Sequence, residues 1–141
     1  MRSVIYELDN YYKIVTYSQL KSGVWSATNF VETIYKNESN IDFNAKLFLC
    51  LKASIKNLKE KDALSDVDYY SVLGVKKGTK IEKVAKSFTI IVQGNSLYFI
   101  PSIRNSKKTH YLPQFDNRME YNISDDLDIK SIFIDILKKC E

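Results

Sequence analysis

Along this chain the spacing of apolar side chains switches between two periods. Residues 3 to 8 and 11 to 17 alternate with the two-residue period of a strand, the second with Tyr11, Lys13, Val15 and Tyr17 on one face and Tyr12, Ile14 and Thr16 on the other. Asp9-Asn10 is a turn between them. After Ser22-Gly23, Val24-Trp25-Ser26 and Phe30 to Tyr35 each read as a short extended segment, followed by the polar loop Lys36 to Asn40. Asn40 is placed to cap a helix. From Ile41 to Lys59 the period becomes helical: Phe48, Leu51, Ile55 and Leu58 recur on one stripe, Phe43 and Leu47 widen it, and Lys52, Lys56 and Lys59 mark the wet side.

A shorter helix is predicted from Ser65 to Leu73, with Asp66 and Asp68 in its first turn, where they suit the helix dipole, and Gly74 at its end. Lys76 to Lys80 is a basic loop. Val84 to Gln93 is rich in β-branched residues and is joined by Gly94-Asn95 to Ser96 to Ile103, which predicts a hairpin at the sheet centre. Glu120 to Ile123 adds a strand, and Ser124 is expected to cap a last helix with Asp125 and Asp126 in its first turn. That helix should turn Ile129, Ile132, Phe133, Ile136 and Leu137 inward and Asp128, Ser131, Asp135 and Lys138 outward. Two one-sided helices need a common sheet face, so Phe48, Leu51, Ile55, Ile132, Phe133 and Ile136 are expected to share a core against the hairpin. The fold class is α+β, a central, mainly antiparallel sheet flanked by helices in one domain spanning 1–141.

Composition fits that reading. The chain has 141 residues, 45% hydrophobic and 13% aromatic, with only 4 Gly and 2 Pro, which suits one core and excludes disorder. No apolar run approaches the length of a membrane span, and a charge interrupts the N-terminus before any signal-peptide apolar region, so a cytoplasmic location is expected. The net charge of +4 is spread among interspersed acids. It matches a Lys-, Ile- and Asn-rich composition rather than a nucleic-acid-binding face, although Arg104, Lys107, Lys108, His110 and Tyr111 form one basic segment.

Catalytic chemistry finds little footing. His110 is the only histidine, Cys50 and Cys140 read as buried free thiols, and neither lies at metal-ligand spacing. Gly74 to Gly78 lacks the Gly-Lys-Ser/Thr ending of a phosphate loop. Asp125, Asp126 and Asp128 resemble paired carboxylates but stand where helix capping accounts for them. No cofactor, metal, small-molecule substrate or membrane is expected, and the chain is read as a binding module, not an enzyme.

One longer pattern carries more. Asn10-Tyr11-Tyr12-Lys13-Ile14-Val15-Thr16-Tyr17, Ser22-Gly23-Val24-Trp25, Ile100-Pro101, His110-Tyr111-Leu112, Ser124-Asp125-Asp126-Leu127 and Cys140 follow in an order that resembles the immunity proteins of contact-dependent growth inhibition systems, over roughly residues 3 to 140. The resemblance implies a protein that binds and neutralises one cognate toxin domain, a nuclease, in the cytosol, and in some members of the family a toxin hairpin adds to the sheet. The runner-up is a nucleic-acid-associated or regulatory binding protein without a toxin partner. The chain's net positive charge departs from simple phosphate mimicry and favours a local acidic patch or an exosite. Candidate toxin-binding residues are Asp66, Asp68, Tyr69, Tyr70, His110, Tyr111, Asp116 and Glu120, because acids and tyrosines near a sheet edge make good contact surface.

Overall fold

The alternating N-terminal segments pair with each other, and the first then pairs with the predicted hairpin. In the computed structural model, which describes residues 1–141 apart from Lys77 and the side chains of Asp66 and Val67, β1 (Arg2–Glu7) lies between β2 (Tyr11–Leu20) and β5 (Lys86–Gln93), antiparallel to both. The remaining elements are β3 (Trp25–Tyr35), α1 (Asn40–Lys52), β4 (Lys56–Leu58), α2 (Asp66–Val72), α3 (Ile81–Val84), β6 (Ser96–Arg104), β7 (Tyr111–Pro113), β8 (Met119–Asn122) and α4 (Ile129–Lys138). The sheet runs β3-β2-β1-β5-β6-β7, with β8 also on β6 and β4 parallel to the end of β2. All other pairings are antiparallel.

Each strand sends alternate side chains to opposite faces, and each face has its own core. On one, α1 and α4 pack over Ile5, Tyr12, Ile14, Ile34, Phe88, Ile90 and Phe99. Phe133 lies at its centre, edge-on to Phe88 (4.8 Å between ring centres), Phe43 (4.9 Å) and Tyr12 (5.3 Å). On the other, α2, α3 and the chain around them cover a smaller cluster built on Tyr6, Val15, Ala27 and Leu73.

Five expectations change. The two segments proposed after Ser22-Gly23 are one long strand, because a bulge lets Thr28, Asn29 and Phe30 stand opposite Thr16 alone, pinned by the Thr28 hydroxyl on the Thr16 carbonyl (3.1 Å). Ser39, not Asn40, caps α1, its hydroxyl accepting the Asp42 N–H. That helix stops at Lys52 instead of reaching Lys59, since Ser54 donates to the Tyr17 carbonyl (2.6 Å) and Ser18 accepts the Ile55 N–H (3.0 Å), turning the chain along β2 as β4. Ile55 is therefore 52% exposed, while Phe48, Leu51, Ile132, Phe133 and Ile136 join the expected core. Val84 ends α3 and is not the start of β5. The last helix begins at Ile129 rather than after Ser124, with Asp128 accepting both the Ser131 N–H (3.2 Å) and its hydroxyl (2.7 Å).

The hairpin, Gly74 at positive φ (68°) closing α2, the inward set of α4 and the burial of both free cysteines stand as read from the sequence. Among the described residues no helix is long and apolar enough to cross a membrane.

Candidate functional site

The eight candidate residues fall into two groups. Asp66, Asp68, Tyr69 and Tyr70 ride on α2 over the smaller core; His110, Tyr111, Asp116 and Glu120 come from the β6 side, on β7, β8 and their connections. Tyr6 on β1 joins the groups at one point. Its ring packs against Tyr69 (6.1 Å) and Tyr111 (5.8 Å).

Ser65 starts α2 by accepting the Asp68 N–H (3.2 Å) and donating its hydroxyl to the Asp68 carboxylate (2.7 Å), a reciprocal cap that leaves Asp68 exposed. The Asp66 side chain lies outside the described residues. Tyr69 points inward: its hydroxyl is hydrogen-bonded to that of Tyr6 and lies 3.4 Å from that of Tyr17. Tyr111 also serves the interior, its hydroxyl donating to the Ala85 (2.7 Å) and Ile81 (3.1 Å) carbonyls. Tyr70 is half-buried against the same cluster. His110 is exposed with its Nδ1 2.8 Å from the Thr109 hydroxyl, and Asp116 and Glu120 are exposed.

Beside α2 opens a cleft of about 280 Å³ walled by Tyr6, Tyr17, Trp25 and Tyr69, with Ser65 at its rim. Leu64 closes one side by donating its N–H to the Ala27 carbonyl of β3 (2.9 Å). The Arg2 guanidinium lies over the Trp25 ring, 5.7 Å from its centre. Tyr6, Tyr17 and Trp25 were not among the sequence candidates. The signal was there in part, because strand alternation already placed Tyr17 on the β2 face opposite Ile14, but the pairing that brings Tyr6 and Trp25 beside it is non-local.

Burial pushes the Tyr6, Tyr69 and Tyr111 hydroxyls well above the usual tyrosine range, so they stay protonated. With their hydroxyls held in internal hydrogen bonds, Tyr6 and Tyr69 offer the cleft neutral ring surface, which suits a protein side chain. Burial likewise pushes the Cys50 thiol up to about 12, the opposite of an activated nucleophile. Among the described residues no three His, Cys, Asp or Glu gather closely enough to hold a metal ion.

The outer side of β3 runs from this cleft to the far end of the sheet. Among the described residues β3 pairs only with β2, and its outer carbonyls at Ala27 and Thr33 are met by Leu64 N–H and by the Lys46 ammonium (3.4 Å). Phe30 at the bulge is 37% exposed.

No protein-family model and no curated protein sequence matches the chain. Solved structures do. A protein of unknown function from Neisseria meningitidis superposes with a TM-score of 0.73 over 99% of this chain and 94% of its own, at 13% identity. A chain of the CdiA-CT/CdiI toxin and immunity complex from Yersinia pseudotuberculosis superposes with a TM-score of 0.71 over 99% of this chain and 97% of its own, also at 13% identity. The fold is shared. At that identity the likeness speaks for architecture, not for any residue's role.

Proposed function

We propose that the chain is an immunity protein that binds and neutralises a cognate contact-dependent growth inhibition toxin, a nuclease domain, in the cytosol. The observation that carries this is the full-length likeness to a chain of a toxin and immunity complex, which agrees with the family the sequence resembles. An edge strand beside a tyrosine-walled cleft adds the means of binding, since a strand with no neighbour on its outer side can accept a partner strand and tyrosines supply large rigid contact area. The partner is proposed to lie along β3, with a strand of its own added to the sheet. Asp68 and Tyr70, on the same helix as the cleft's Tyr69, are proposed to contact the partner, and Tyr69 holds the cleft's shape.

The reading is tested by growth. If the reading frame upstream of this chain ends in a toxin domain, cells expressing that domain should die without this chain and grow with it. Equal death in both would reject the proposal.

A further inference from the structure

A second cleft, of about 340 Å³, opens on the α4 face of the sheet. Its rim carries Lys36, Lys86, Lys130 and Lys138, and Tyr12 and Phe43 form its floor. These lysines converge from three parts of the chain: Lys36 from the β3 to α1 connection, Lys86 from β5, and Lys130 and Lys138 from α4. Glu7 lies among them, 2.9 Å from Lys36, and Asp135 meets Lys138 at the outer edge (2.8 Å). The other two ammoniums rest on neutral carbonyls, Lys130 on Glu38 (2.7 Å) and Lys86 on Leu137 at the end of α4 (3.0 Å). Glu7 is the one carboxylate in the cleft wall, Asp135 sits at the outer edge and Glu38, paired with Lys46 (2.7 Å), lies behind Lys130, so the cleft keeps an excess of positive charge that favours an anion.

We infer that this cleft seats an acidic segment of a protein partner carrying an apolar side chain between its carboxylates. Each ammonium has three donors, so every lysine keeps donors free after its internal bond. The floor is apolar where a bare phosphate would want donors: Lys130 stands 5.9 Å from the Phe43 ring centre, Lys36 5.5 Å from that of Tyr12, and Ile134 beside them is 55% exposed. None of the four lysines is fully buried, and the cleft lacks the closed backbone cradle of a small-anion site. Acidic side chains flanking an apolar one match both the rim and the floor.

This rests on the toxin-binding reading and extends it. The eleven residues of β3 span about 35 Å at roughly 3.3 Å each, from Trp25 in the tyrosine cleft to Tyr35, beside Lys36 in the lysine cleft. A partner strand laid on β3 thus ends on the Lys36 side of the lysine cleft. The chain's positive charge then has a use as an exosite for acid on the toxin.

Calorimetry with the upstream toxin domain decides it, comparing the wild type, Lys138→Glu and the double variant Lys36→Gln/Lys130→Gln at about 50 and 200 mM salt. The Lys138 side chain is 70% exposed, so Lys138→Glu leaves the fold intact and decides alone if the double variant misfolds. Both variants should weaken binding about tenfold or more at low salt and show a shallower salt dependence than the wild type. Wild-type binding with both variants unchanged overturns the lysine cleft and leaves the immunity reading standing; no wild-type binding overturns both. Lysine-dependent binding of a labelled single-stranded oligonucleotide, with toxin affinity unchanged, would assign the cleft to nucleic acid instead.

Discussion

Truncating Phe133 to Ala is the sharpest probe of how the two layers are joined. The side chain is fully buried where α4 meets α1 and the sheet, edge-on to Phe88, Phe43 and Tyr12 within 4.8 to 5.3 Å. A buried phenylalanine removes about 150 Å² or more from water, worth roughly 4 kcal/mol at about 25 cal/mol per Å². The remaining cavity and lost edge-to-face pairs push toward the upper half of the ~3–5 kcal/mol seen for such truncations. An unfolding entropy of about 2.1 cal/mol/K per residue makes that a fall in Tm of roughly 14–17 °C for a chain of 141 residues. Urea unfolding followed by tyrosine and tryptophan fluorescence, with thermal melts alongside, measures it. Ile134→Ala on the outer side of the same helix is the control and should shift stability by under about 0.5 kcal/mol. A Phe133→Ala protein within about 1 kcal/mol of wild type would mean α4 does not anchor in this aromatic cluster.

Alkaline pH should weaken the fold through its buried tyrosines. Burial raises the folded-state pKa of Tyr6, Tyr69 and Tyr111, so the stability they confer is complete below about pH 10, where the unfolded hydroxyl ionises, and falls above it by about 1.4 kcal/mol per pH unit for each. Tyr69→Phe should therefore show a shallower loss than wild type in urea melts between about pH 9 and 11, and identical slopes would contradict the buried hydroxyl pair. Asp128→Ala should cost about 1 kcal/mol at neutral pH through loss of the α4 cap. The hydrogen bonds from Ser131 hold the Asp128 carboxyl below its usual value, so the gap should narrow as pH falls through that folded-state value, and a gap constant to about pH 2 would argue against the cap. Asp68→Lys, on the α2 side of the proposed interface, should weaken toxin binding several-fold in calorimetry, while Glu120→Lys on β8 should leave it unchanged; the reverse pattern would move the interface to the β7 and β8 edge.

Local patterns were legible where a single element accounts for them. The Gly94-Asn95 hairpin, the buried face of α4 and the Ser65 to Gly74 span of α2 follow from alternation, helical spacing and turn residues. The failures sit where a distant partner decides. Helical spacing runs straight through Ile55 and Leu58, yet hydrogen bonds involving Ser54 and Ser18 pull that stretch onto β2, where Leu58 is buried from a strand. Ser124 and Asp128 are both good caps, and the Ser124 to Leu127 turn ahead of α4 leaves the role to the second. At the site, the α2 acids and tyrosines were seen as a group, but Tyr69 reads as outward until Tyr6 is placed beneath it. The lysine cleft had no local signature, because its four cations arrive from β5, α4 and the β3 to α1 connection.

The central claim is that this chain recognises one toxin. Isothermal titration of the purified chain with the catalytically inactivated toxin domain encoded immediately upstream tests it most directly, with a toxin domain from an unrelated system in parallel. The account predicts one-to-one binding in the nanomolar range, on the order of −12 kcal/mol, to the cognate domain and none to the other. No heat of binding to the cognate domain, with both proteins folded, would contradict it.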